Sequence, residues 1–179
     1  MPAKNNYLVI AAIGRDGPGL VEAISRLILD LGCNITQSRM AVFGNEFTLM
    51  LMVEGNWNTL AKLEEALPNF GSRHELDLTF RRTGEREASG NLLPYAVDVV
   101  ALDHPGIVHN LASFFSRRKI NIEEMATSTY AAAHTGAPMF SVHMSVGIPS
   151  DIFIAGLRDE FMDFCDSLNL DAVLEPLKG

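Results

Sequence analysis

The feature that most constrains this chain is that it repeats itself. Asp16-Gly17-Pro18-Gly19-Leu20 is echoed by Asp103-His104-Pro105-Gly106-Ile107, an offset of 87 positions. The same offset carries Val21, Ile24, Leu27 and Ile28 onto Val108, Leu111, Phe114 and Phe115, and Asn34-Ile35 onto Asn121-Ile122. Further on, Phe47-Thr48-Leu49 matches Phe140-Ser141-Val142 at an offset of 93, so the second copy holds six extra residues within residues 131–137. Self-similarity at a fixed spacing means two copies of one structural unit. With 179 residues in all, each copy has the length of a small domain, and 47% hydrophobic residues suffice to build their cores.

Each copy reads the same way. Residues 7–13 and 95–102 are short, β-branched, apolar runs that stop at turn-forming residues, as strands do. A helix follows, with Asp16 as its candidate cap and Pro18 in the first turn, where a missing N–H is tolerated. Its apolar positions 20, 21, 24, 27, 28 and 31 fall at i, i+3, i+4 spacing, and Gly32 ends it. In the second copy Arg117, Arg118 and Lys119 close the equivalent helix, where positive charge suits the negative end of the dipole. Two runs joined by Gly44-Asn45 come next, residues 34–43 and 46–54, with a counterpart at 121–131 and 138–147. A second helix is expected over residues 57–67, ended by Pro68, and its partner over 152–168. Last strands fall at 75–82 and 170–174, so the order is βαββαβ twice.

Right-handed crossovers flanking a hairpin produce a four-stranded antiparallel sheet with both helices on one face, the ferredoxin-like arrangement of the α+β class. The boundaries expected are residues 1–83 for the first unit, a polar linker at 84–93 and residues 94–179 for the second. Nothing within one unit covers the other face of the sheet. Phe47, Leu49, Leu51 and Val53 alternate with Thr48, Met50 and Met52, so both faces are largely apolar, and a cover is expected from the other copy or from a second subunit in a homodimer.

The chain carries 14 Lys plus Arg against 22 Asp plus Glu, a net charge of −8, with 5 basic and 11 acidic residues from 91 onward. Short basic runs occur only at Arg81-Arg82 and Arg117-Arg118-Lys119, too few for direct nucleic-acid binding. Cys33 and Cys165 form no CxxC pair, the N-terminus lacks a long apolar run, and no stretch suits a membrane helix, so a reduced, cytoplasmic protein away from membranes is expected. The histidines form no HxxxH or HExxH pair, and only His134 and His143 are placed to meet across a hairpin. Neither a metal site, nor a cofactor, nor a nucleophile beside a general base is expected, which points away from an enzyme.

The loop Gly14-Arg15-Asp16-Gly17-Pro18-Gly19 opens a helix whose free N–H groups and dipole attract an anion such as a carboxylate. It lacks the Gly-Lys-Ser/Thr of a nucleotide loop. Asn34 and Asn121, opening the strand after each helix, offer both a donor and an acceptor. A D-x-P-G turn, an amphipathic helix and G-x-N-I within a βαββαβ unit resemble an ACT domain, a small module that commonly binds amino acids. Two such units with nothing else resemble the glycine cleavage system transcriptional repressor family, and Gly55-Asn56-Trp57-Asn58, Ala66-Leu67-Pro68 and Arg81-Arg82-Thr83 extend the likeness.

The resemblance implies a site formed by Asp16, Gly17, Gly19, Leu20, Asn34 and Ile35 in the first unit, often completed by a neighbouring ACT unit. Asp103, Gly106, Ile107, Asn121 and Ile122 would form its counterpart. Backbone amides would hold the ligand carboxylate and the Asn side chain its polar end, with glycine the favoured ligand. It further implies a non-enzymatic repressor whose partner is a DNA-binding regulatory protein, the contact being weakened by glycine. The alternative is a free-standing ACT subunit controlling an amino-acid metabolic enzyme.

Overall fold

A computed structural model describes residues 6–86 and 90–178. The chain divides into two units, Met1–Glu87 and Ala88–Gly179. The expected linker, 84–93, falls partly on residues 87–89, which lie outside the described residues. Unit 1 contains β1 (Asn6–Arg15), α1 (Leu20–Asp30), β2 (Asn34–Phe43), β3 (Glu46–Gly55), α2 (Trp57–His74) and β4 (Leu76–Thr83). Unit 2 repeats the order with β5 (Leu92–Leu102), α3 (Ile107–Arg117), β6 (Asn121–Ala131), β7 (Pro138–Pro149), α4 (Ile154–Ser167) and β8 (Asp171–Pro176). The sheets are antiparallel between neighbours, in the orders β2-β3-β1-β4 and β6-β7-β5-β8. This is the ferredoxin-like topology, present twice.

Strand alternation assigns the faces. Leu8, Ile10 and Ala12 of β1 and Phe47, Leu49, Leu51 and Val53 of β3 point to the helices, where Ile24, Ile28, Leu60, Leu63 and Leu67 complete one core. Unit 2 has its own core, in which Phe114, Phe115 and Phe161 meet edge-on or tilted around Val97, Val99 and Met144. The alternate residues, Val9, Ala11, Ile13, Met50 and Met52 in unit 1, form the face away from the helices. In both units the edge strand carries a bulge directly after its Asn-Ile pair, at Thr36 in β2 and Glu123 in β6.

Helix ends explain where the sequence reading shifts. Asp16 does not cap α1: the N-cap is Gly19, whose left-handed backbone (φ 90°) turns the chain into the helix at Leu20 and leaves Pro18 in the turn before it. Both α1 and α3 finish with a pair of crossed backbone bonds. Cys33 N–H reaches Ile28 O and Gly32 N–H reaches Leu29 O; Ile120 N–H reaches Phe115 O and Lys119 N–H reaches Ser116 O. Each chain reversal drops a buried residue, Cys33 or Ile120, into the core.

α2 corrects the second expectation. Asn56 caps it by accepting from Thr59 N–H at 2.9 Å, but Pro68 does not end it. The helix runs on to His74 because Phe70 and Gly71 continue the buried stripe begun by Leu60, Leu63 and Leu67, so tertiary packing outweighs the backbone bond that proline removes. Glu75, in a left-handed conformation, ends it, and β4 begins one residue later than expected. α4 likewise starts two residues late, at Ile154 after Phe153. No helix among the described residues is long and apolar enough to cross a membrane.

Candidate functional site

The loop between β1 and α1 is tied down at one point and open elsewhere. Asp16 N–H donates to Asn45 O at 3.0 Å, anchoring the loop to the β2–β3 turn. Gly19 O accepts from Ala23 N–H at 2.9 Å, and the first-turn N–H groups are left without a side-chain cap. A Cβ on Gly17 or Gly19 would meet nothing within 4 Å. Unit 2 repeats the geometry: Asp103 N–H donates to Pro138 O at 2.9 Å, Gly106 adopts φ 95°, Asn110 N–H donates to Gly106 O, and no side chain caps α3. His104, standing where unit 1 has Gly17, keeps its ring Nδ1 3.0 Å from Pro105 O. Asp16, Gly19, Asp103 and Gly106 are exposed, Gly17 and Leu20 are half-buried, and Ile107 is buried.

Asn34 and Asn121 are exposed as well, each at the first position of an edge strand, and Ile35 and Ile122 behind them are half-buried against the cores. Within one unit, however, the loop and the asparagine do not come together. Because β1 and β2 both pair antiparallel with β3, they run parallel, and the end of one lies opposite the start of the other. Arg15 pairs with Glu46 while Asn34 pairs with Glu54, eight residues along β3, roughly 26 Å at strand rise. In unit 2, Leu102 pairs with Met139 and Asn121 with Gly147, the same eight-residue separation.

Asn121 does border a hollow. A depression of about 440 Å³ lies between α3 and the start of β6, lined by Ala112, Ser116, Lys119, Ile120, Asn121 and Ile122. Lys119 and Ser116 were not singled out as site residues by the sequence, where Lys119 read simply as a helix-end charge. The unit 1 counterparts of Ala112, Ser116 and Lys119 are Ser25, Leu29 and Gly32, so this hollow offers an amine only in unit 2. A second depression, about 370 Å³, lies between the end of α2 and the start of β4 and includes none of the expected site residues.

Arg118, Arg82 and His143 have structural partners. Arg118 donates to Glu160 Oε2 at 2.7 and 3.1 Å and to Phe114 O, with its guanidinium 3.8 Å from the Phe114 ring centroid, so that basic residue ties α3 to α4. Arg82 makes a two-pronged pair with Glu64 at 2.7 and 2.8 Å and stacks on the exposed Trp57 ring at 4.6 Å. The bonded guanidinium holds the Glu64 carboxyl below its ordinary value. His143 lies in β7 opposite Ala126, not His134, and its Nδ1 is 2.5 Å from Asp98 Oδ1. No cluster of three or more metal-ligating side chains occurs among the described residues.

Residues 6–81 match the family model of the ACT domain. Across 167 residues, 93% of this chain and 88% of the other, the sequence is 30% identical to the glycine cleavage system transcriptional repressor of Escherichia coli (strain K12). The chain belongs to that repressor family. The Shigella flexneri repressor matches over the same span at the same identity. A crystal structure provisionally named a glycine cleavage system transcriptional repressor superposes with a TM-score of 0.72 at 29% identity, covering 98% of this chain and 99% of the other. A protein of unknown function from Galdieria sulphuraria shares the fold, with a TM-score of 0.77 at 23% identity over 97% and 99% of the two chains. The two sheets described above are this chain's two ACT units.

Proposed function

We propose that this chain is a non-enzymatic, amino-acid-sensing regulator of the cytoplasm that represses glycine cleavage genes by contacting a DNA-binding protein, with glycine as its ligand. The observation that carries the reading is the nearly end-to-end match to the Escherichia coli repressor, together with a loop geometry kept in both units. In this reading the uncapped N–H groups of α1 and α3 take the ligand carboxylate. A molecule the size of glycine cannot also reach the asparagine of the same unit, roughly 26 Å away by strand rise. The proposed site therefore pairs the loop of one ACT unit with the asparagine end of a second, as in an antiparallel approach along the β2 edge by a neighbouring copy. Ligand control follows if glycine prefers one arrangement of the assembly, because a ligand shifts an equilibrium only by its differential affinity.

Thermal unfolding against a panel of amino acids tests this. A ligand at a hundredfold excess over its Kd stabilises by about 2.7 kcal/mol, a rise in Tm of very roughly 5 to 11 °C for a chain of this size. The expected result is a selective rise with glycine that Asn34→Ala diminishes without lowering the Tm of the unliganded protein. No rise with any amino acid overturns the sensor reading. Capture of partners from a lysate then separates the two forms of regulation: a DNA-binding protein supports repression, and a metabolic enzyme in its place overturns it.

A further inference from the structure

The sheet faces turned away from the helices have diverged between the units in a way that makes them fit each other. In unit 1 the central cross-strand rows read Arg39-Met50-Ala11-Thr79 and Gln37-Met52-Val9-Arg81. Met50 is 50% exposed and Ile13, in the next row, 48%. The equivalent rows of unit 2 read Ala126-His143-Asp98-Val173 and Glu124-Ser145-Ala96-Glu175, followed by Ser128-Ser141-Val100-Asp171. At matching positions Arg81 is thus replaced by Glu175, Gln37 by Glu124, Ala11 by Asp98 and Arg39 by Ala126. The unit 2 face carries four acidic side chains, with no Lys or Arg in these rows. Val100, Val173 and Leu102 remain exposed around them. Over the same three rows the unit 1 face carries two arginines at opposite corners and one carboxylate, Asp77 opposite Ile13, and the unit 2 face carries four carboxylates, of which Asp98 is bonded to His143.

We propose that the outer face of unit 1 in one copy docks on the outer face of unit 2 in a second copy, in two reciprocal contacts. Two arginines against one carboxylate on the first face and four carboxylates on the second favour the unlike pairing and disfavour self-pairing of the acidic face. Size favours reciprocity. Four strands about 4.8 Å apart and three to four rows about 6.7 Å apart present roughly 400 Å² per face. One such contact buries about 800 Å² in total, the scale of a lattice contact, whereas two bury about 1,600 Å², that of a stable interface. Closure by a twofold axis also prevents the open chains that a single heterologous contact would build.

Sedimentation equilibrium of the full chain tests the proposal. The expected result is a dimer at low salt that weakens as salt is added. R39E/R81E, which spoils the unit 1 face, and D98K/E175K, which spoils the unit 2 face, each raise the dimer Kd at least tenfold while near-ultraviolet circular dichroism stays native. Mixed one to one, the two variants associate again, because one of the two contacts in the mixed pair is unaltered and the other has both signs reversed. A wild-type chain that is monomeric at every concentration overturns the proposal, as does a dimer indifferent to either pair of substitutions or a mixture that stays dissociated.

Discussion

Gly14, Gly17 and Gly19 stand within one short stretch, yet the structure asks different things of them. A Cβ on Gly14 would sit 2.5 Å from Glu75 O, because β4 pairs up to Gly14 through Leu76. In unit 2 the pairing of β8 stops at Val100, one position earlier, and Ala101 stands there with its methyl accommodated. Gly19 is demanded by its backbone, φ 90°, as is Gly106 at 95°. Gly17 is demanded by neither space nor backbone, which is why His104 replaces it without disturbing the turn. Urea denaturation is therefore expected to rank three variants. Gly14→Ala costs about 1 to 3 kcal/mol by forced overpacking, and Gly19→Ala about 1 to 2 kcal/mol by backbone strain. Gly17→Ala stays within about 0.5 kcal/mol of the parent. A costly Gly17→Ala would show that the loop is tighter than this geometry allows.

At the scale of the element, strands and the first helix of each unit were legible because their periodicity is unbroken. Phe47, Leu49, Leu51 and Val53 are buried as their alternation requires, and Ile24 and Ile28 lie on the buried stripe of α1. Helix ends were legible only where a side chain marks them. Asn56 caps α2 as a good N-cap residue does, whereas the start of α1 is set by a glycine backbone that Asp16 concealed. Pro68 misled because propensity is local and the stripe through Phe70 and Gly71 is not. The link between α2 and β4, Glu64 with Arg82, has no local signature at all, being 18 residues apart. It has a pH signature. Because Arg82 holds the Glu64 carboxyl below its ordinary 4.5, the pair's contribution is fully present above that value and is lost as pH falls through the lowered one. Glu64→Gln is expected to cost about 1 kcal/mol or less at neutral pH, since the pair is partly solvated, and to flatten the acid side of the stability profile. An acid limb identical to the parent's would mean that the pair contributes nothing.

For the whole molecule, the repeat disclosed the architecture, but position along a chain does not disclose which end of a sheet a residue occupies. Asp16 and Asn34 look adjacent across one helix, yet parallel β1 and β2 place them at opposite ends, too far apart within one unit to share one small ligand. The repeat also hides where the two units differ in chemistry, and one difference reaches the stability of the chain. Cys165 is fully buried in the unit 2 core, and burial, with Asp166 adding to it, pushes its thiol up from 9.0 to about 12. The native state keeps this proton where the unfolded chain gives it up. Stability is therefore unaffected below the unfolded value of 9.0 and falls as pH rises from there towards 12. Tyrosines and lysines titrate in the same range, so the comparison that isolates the thiol is between the parent and Cys165→Ala, each unfolded by urea at steps through that window. The parent is expected to lose stability more steeply than the variant, and its Cys165 is expected to react with a thiol reagent only as fast as unit 2 opens. Equal slopes, or rapid labelling of the folded protein, would place the thiol in contact with water and remove it from the unit 2 core.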